Sequence, residues 1–194
     1  MGGDTLPCGC HMVVVGCVYM VVVGCVYILI ATNQETSVPN IEITSMDFTV
    51  HNITQTRLSA NWDLLIRVPS DLPNAYICLQ GDIQASLFYK NFTLVTSSGQ
   101  RYNDLRYGSP QQLRVSAAIS EKDIDIGGLT GENIIKDIKE KRKVKFGSQL
   151  FLTDCRKGMT GVLSYVCDDT TLRFEPDLET KATKFGNNPT CTNI

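Results

Sequence analysis

Twenty consecutive uncharged residues constrain this chain more than any other feature. From Met12 to Ala31 it reads MVVVGCVYMVVVGCVYILIA. As a helix rising ~1.5 Å per residue, the run is ~30 Å long, the thickness of a bilayer's hydrocarbon core. The pattern predicts a transmembrane helix over residues 12–31, preceded by a short cytosolic N-terminus at residues 1–11. A cleaved signal peptide fits worse, because its apolar region is usually ~7–15 residues and is followed by small ones, whereas Ile28, Leu29 and Ile30 are bulky. A buried β-hairpin, suggested by the valines, lacks a turn pair between the two Val-rich halves.

Met12–Tyr19 repeats letter for letter as Met20–Tyr27. A period of eight turns Gly24 about 80° away from Gly16 around a helix, so the glycines do not form the small-residue seam of a membrane helix dimer. Charge does not orient the helix, since no Lys or Arg precedes Arg57 and the positive-inside rule has nothing to count. The triplets Asn52-Ile53-Thr54 and Asn91-Phe92-Thr93 read as glycosylation acceptors, which function only if the C-terminal part enters the secretory lumen. The expected arrangement is therefore a single-pass protein with a cytosolic N-terminus and an external C-terminal domain.

The eight cysteines divide into two groups. Cys8, Cys10, Cys17 and Cys25 lie in or beside the apolar segment. Cys8 and Cys10 precede it, where S-palmitoylation is chemically reasonable. Cys8-Gly9-Cys10-His11 lacks the paired spacing of a tetrahedral metal site, so no metal is expected. Cys78, Cys155, Cys167 and Cys191 form the outer group, and in an oxidising lumen they allow two disulfides in three pairings. Cys167 with Cys191 is the preferred bridge, tying the last strand-like segment to the polar tail.

After a polar, proline-bearing stalk (residues 32–40), the composition becomes that of one ordinary globular domain, with a polar C-terminal tail after about residue 178. The chain's 18 basic and 20 acidic residues nearly balance, which argues against a nucleic-acid-binding arm or a disordered acidic tail. Leu58, Ala60, Trp62, Leu64, Ile66 and Val68 alternate with more polar positions, the period of a half-buried strand. Similar alternation recurs at Ile83–Tyr89, Leu113–Ile119, Val144–Phe146 and Val162–Val166. Ile41 and Ile43 are out of phase with Met46, Phe48 and Val50, which predicts a bulge or a bend in the first strand. Leu129, Ile134, Ile135 and Ile138 have helical spacing. The fold expected is mainly β, an antiparallel β-sandwich with one short α-helix. The basic run Lys141-Arg142-Lys143-Val144-Lys145 reads as the solvated face of a strand in preference to a phosphate or lipid patch. Asp168 and Asp169, adjacent in a strand, are expected on opposite faces and so not as a carboxylate or calcium pair.

Several segments resemble the late embryogenesis abundant type 2 (LEA-2) family of plants. They are Leu58-Ser59-Ala60-Asn61-Trp62-Asp63-Leu64, Asp82-Ile83-Gln84-Ala85-Ser86-Leu87-Phe88-Tyr89-Lys90, Val144-Lys145-Phe146-Gly147 and Tyr165-Val166-Cys167-Asp168-Asp169. With the N-terminal helix, the chain looks like the NDR1/HIN1-like branch of membrane-anchored, defence-associated proteins. It departs from that pattern at Val68-Pro69-Ser70-Asp71-Leu72-Pro73-Asn74, where the family usually shows Asn-Pro-Asn, and in its short cytosolic part without basic residues.

The resemblance implies an Ig/fibronectin-III-like sandwich and a plant plasma-membrane protein of pathogen-response or stress signalling, without enzymatic activity or cofactor. The residues agree in part, because the chain carries neither a G-x-S-x-G elbow nor a P-loop and His51 is the one imidazole after the membrane segment. The expected partners are the bilayer, through residues 12–31, and a protein or cell-wall component, with no nucleic acid. The alternative is a stress protectant or lipid-handling module at a membrane. A hydrolase using His51 is a distant third.

Overall fold

The structure is a computed structural model that describes residues 9–32, 38–54, 58–70, 72, 78–105, 108–120, 129–156, 158–175 and 180–194, with side chains excluded at 9–14, 27–32, 129 and 130. The chain divides into two compact units, Met1–Ser37 and Val38–Ile194.

The described residues of the first unit form an α-helix, α1 (Gly9–Thr32), 24 residues long. Nothing breaks it, since Pro is absent from the segment, and of its three glycines Gly9 opens the helix while Gly16 and Gly24 sit mid-run. Described side chains cover residues 15–26, about 18 Å of helix. Among the described residues no helix is long and apolar enough to cross a membrane. Val15, Val18, Met20, Val21, Val22 and Val26 are all exposed, so among the described side chains, at residues 15–26, apolar ones ring the helix.

The second unit is mainly β. Its strands are β1 (Glu42–Ile53), β2 (Leu58–Val68), β3 (Cys78–Tyr89), β4 (Phe92–Thr96), β5 (Gln100–Leu105) and β6 (Gln111–Ile119), then β7 (Lys143–Thr153), β8 (Val162–Phe174), β9 (Lys181–Lys184) and β10 (Cys191–Asn193). Between β6 and β7 lies one short helix, α2 (Leu129–Lys136), which runs into a π turn at Asp137–Lys141. The alternation read from the sequence is realised most plainly in β2, where Leu58, Ala60, Trp62, Leu64, Ile66 and Val68 are buried. The phase change in β1 is a bulge: pairing with β2 slips between Ile43 and Ser45, and Thr44 Oγ1 donates to Leu65 O at 3.2 Å. The slip lets Ile43 and Met46 both face the core.

The strands form one continuous antiparallel sheet, in the order β4-β3-β7-β8-β9-β1-β2-β6, with β5 also on β3 and β10 on β8. This differs from the two separate sheets of the expected sandwich. β9 makes the connection, because Ala182 pairs with Phe174 of β8 on one side and Phe48 of β1 on the other. The sheet curls until β6 lies beside β3, β4 and β5, which nearly closes it. Phe48 and Phe146 meet inside, with ring centroids 5.0 Å apart.

Residues 179–194, expected as a polar tail, supply β9 and β10. Ala182 and Cys191 are the buried points of these short strands, and backbone pairing holds the remainder. Asp168 and Asp169 also depart from expectation, since both are exposed. Pairing of β7 with β8 slips between Phe146 and Ser148, so the two aspartates together oppose Gly147 and the strict alternation of faces is lost. The N-terminal part of the expected cytosolic tail, most of the stalk and part of the Val68–Asn74 turn lie outside the described residues.

Candidate functional site

Polar and apolar side chains from distant segments meet where α2 joins the sheet. Ile134, Ile135 and Ile138 are buried, so the helix is held by the apolar stripe that its spacing predicts. Tyr89 of β3 fixes the turn that follows: its hydroxyl donates to Asp137 Oδ2 at 2.8 Å, and Lys141 Nζ holds the other carboxylate oxygen at 2.7 Å. The Tyr89 ring sits edge-on to Phe146, 6.3 Å between centroids. Burial is the largest influence that raises the Tyr89 hydroxyl to about 12, and the charge it donates to adds to this. Burial opposes ionisation of Asp137, but the hydrogen bonds from Lys141 and Tyr89 together outweigh it and lower the carboxyl.

Arg142 ends the turn in a left-handed conformation, φ 49, uncommon for a residue with a side chain. Phe174 N donates to its carbonyl at 3.0 Å. Between this turn and the ends of β1 and β8 lies a pocket of about 230 Å³. Val50, Ile53, Ile138 and Phe174 form its apolar wall, Thr180 contributes at one side, and Lys139 and Arg142 supply positive charge. Sequence reasoning missed this pocket. The only signal was the basic residues flanking Ile138, and their apolar neighbours come from distant segments.

The basic run behaves as a strand face from Lys143 on, whereas Lys141 ends the π turn and Arg142 caps it, so the expectation of a solvated strand face is met in part. Lys143 and Lys145 are exposed while Val144 and Phe146 are buried. Lys143 pairs across with Arg173, and the exposed Phe185 ring lies near both, 5.7 Å from Lys143 Nζ and 5.6 Å from Arg173 Cζ. Stacking of both cations on one ring offsets part of their mutual repulsion.

The remaining predicted residues are dispersed. Asn52 is exposed near the end of β1, and Asn91 is exposed in the tight turn between β3 and β4, where Lys90 takes φ 54. The outer cysteines pair as Cys78–Cys155 and Cys167–Cys191. The first joins the start of β3 to the segment after β7, and the second ties β10 to β8. Cys8 and the side chain of Cys10 lie outside the described residues, while Cys17 and Cys25 are exposed and unpaired on α1. His51 is exposed on β1. Among the described residues no group of three or more His, Cys, Asp or Glu is placed to hold a metal. Beside Cys155, Arg156 donates to both oxygens of Asp154, at 2.9 Å from Nε and 2.6 Å from Nη2. Its hydrogen bonds hold the Asp154 carboxyl below its usual range.

A family model described as "Protein of unknown function (DUF1163)" matches residues 126–193, about a third of the chain. The match spans α2 to β10 and so includes Ile138, Lys139, Arg142, Phe174 and Thr180 of the pocket, as well as Cys167 and Cys191. A solved structure described as "Crystal structure of protein from Archaeoglobus fulgidus" is similar over 69% of this chain and 98% of its own, at 10% identity and a TM-score of 0.35. A likeness at that level says nothing about activity. No curated protein matches the chain.

Proposed function

We propose that this chain is a non-enzymatic, single-pass membrane protein in which α1 crosses the bilayer and the β unit stands outside the cytosol as an interaction module. One observation carries the reading: α1 is 24 residues long, contains no Asp, Glu, Lys or Arg, and exposes apolar side chains around its circumference. The uncharged run of residues 12–31 is ~30 Å long as a helix, and where its side chains are described, at residues 15–26, it offers no soluble face, a pattern that suits lipid as its solvent. The two outer disulfides support placement of the β unit in an oxidising compartment, and Asn52 and Asn91 are exposed as a glycan acceptor must be.

The LEA-2 resemblance extends this to an NDR1/HIN1-like plasma-membrane protein of plant defence or stress response, whose mainly β outer unit meets a protein or cell-wall partner. Proximity labelling from the full chain at the plant cell surface tests it. Reproducible enrichment of one partner over a control carrying residues 1–40 alone is the expected result, and identical profiles contradict it.

The apolar pocket beside α2 favours a second reading, a lipid-handling module at a membrane. It predicts that the β unit contacts single acyl chains as well as protein.

A further inference from the structure

The pocket beside α2 has a composition that selects its ligand. We infer that it binds the end of a single-chain anionic amphiphile, with the chain against Val50, Ile53, Ile138 and Phe174 and the head at Lys139 and Arg142. The inference rests on the lipid-handling reading and gives it a site and a ligand class.

Three features point the same way. The wall from β1, the π turn and β8 is apolar, so a chain entering it exchanges water for apolar side chains along most of its length. Both charged residues lining it are cations; Lys139 is exposed, and Arg142 also reaches the Glu175 carbonyl at 3.5 Å from Nη1. Charge complementarity therefore favours a carboxylate or phosphate head over a neutral or cationic one.

The third feature is backbone geometry. The two residues supplying the charge lie on a π turn and at a left-handed non-glycine position, φ 49. Such geometries are uncommon and concentrate at functional sites. The Tyr89–Asp137–Lys141 contacts and the Phe174 N to Arg142 O bond hold this rim in place, so the site is formed before a ligand arrives.

Size limits the ligand. About 230 Å³ is below the ~300–1,000 Å³ of sites that enclose a drug-sized molecule, and it holds about seven or eight groups the volume of a water molecule. A medium-length chain fits, whereas a two-chain phospholipid inserts at most one tail.

The test uses the full chain in phosphatidylcholine nanodiscs. Decanoic acid with a terminal photoreactive diazirine is crosslinked, the modified residues are mapped by mass spectrometry, and decanoate, decyl phosphate and decanol compete. Expected are crosslinks at Val50–Ile53, Ile138 or Phe174, displaced by both anions at least tenfold better than by decanol. The exposed-site variant Lys139→Glu, and the double variant with Arg142→Glu, should raise the anion concentration needed for displacement about tenfold or more. Equal displacement by decanol, or unchanged competition in the double variant, overturns the anion assignment. Crosslinks elsewhere on the β unit overturn this site while leaving the lipid-handling reading, and crosslinks confined to α1 overturn both.

Discussion

Replacing Cys78 and Cys155 together with alanine should cost more stability than replacing Cys167 and Cys191. The first bridge closes a loop of 77 residues and the second one of 24. The chain-entropy relation gives about 4.5 kcal/mol for the first and about 3.4 kcal/mol for the second. For a chain of this size 1 kcal/mol moves the midpoint by roughly 2–4 °C, so the first pair should lower it by roughly 9–18 °C. Contacts left behind also differ. Without its bond, Cys191 remains paired to Cys167 in the β10–β8 ladder, whereas Cys155 lies beyond the last β3–β7 pairs. Both terms predict the same order. Trp62 is the sole tryptophan and fully buried, so its emission follows unfolding of the β unit without a label. Thermal melts of the full chain and the two double variants, with alkylation before and after reduction to count disulfides, provide the comparison. Losses below about 1 kcal/mol in both variants, or a larger loss for Cys167–Cys191, would refute the reasoning.

Other perturbations reach different parts of the account. Tyr89→Phe removes a hydrogen bond to an ionised carboxylate and should cost about 1.5–3 kcal/mol at neutral pH. Because the folded Tyr89 titrates at about 12 against 10 unfolded, its contribution is complete below pH 10 and is lost as pH rises from 10 through 12; the phenylalanine variant should lack that alkaline loss in denaturant titrations. Asp137 has the opposite dependence: its folded value is lowered, so its contribution is complete above pH 3.8 and is lost as pH falls below that through the folded value. Gly81→Ala places a methyl group into the Tyr102 ring and should cost about 1–3 kcal/mol, with part of the loss recovered by adding Tyr102→Ala; a melt unchanged by Gly81→Ala counts against the packing. Val22→Arg adds about 2.5–3.5 kcal/mol to the transfer of a mid-membrane residue, so more of the variant than of the unaltered chain should be released by alkaline extraction of membranes.

Strands of the second unit are legible in the sequence where one face is buried along their length. β2 shows six inward residues at strict period two, and α2 with its π turn shows three isoleucines at helical spacing. Even the bulge in β1 is visible, as a phase change between Ile43 and Met46. Closure of the sheet is not legible, because it depends on β9, a Lys-Ala-Thr-Lys segment with one buried residue, Ala182. A four-residue strand held by backbone bonds on both sides leaves almost no hydrophobic pattern. The opposition of Asp168 and Asp169 to Gly147 is a pairing slip, and composition does not encode register. The pocket has the same character: Val50, Ile53, Ile138 and Phe174 become neighbours only when the curled sheet meets the π turn. Local periodicity turns Val50 and Ile138 inward, but Ile53 lies out of phase with Val50 beyond a second slip of the β1–β2 pairing, and no local pattern shows that the four face one another.

The account turns on which side of a membrane the β unit occupies. The decisive measurement is the gel mobility of the full chain expressed in plant cells, with and without glycosidase, beside the Asn52→Gln/Asn91→Gln double variant. A glycosidase-sensitive shift that disappears in the double variant is the predicted result, placing residues 38–194 beyond the cytosol. An unshifted chain whose β unit resists protease added outside the cell would contradict the proposed orientation and, with it, an external interaction module.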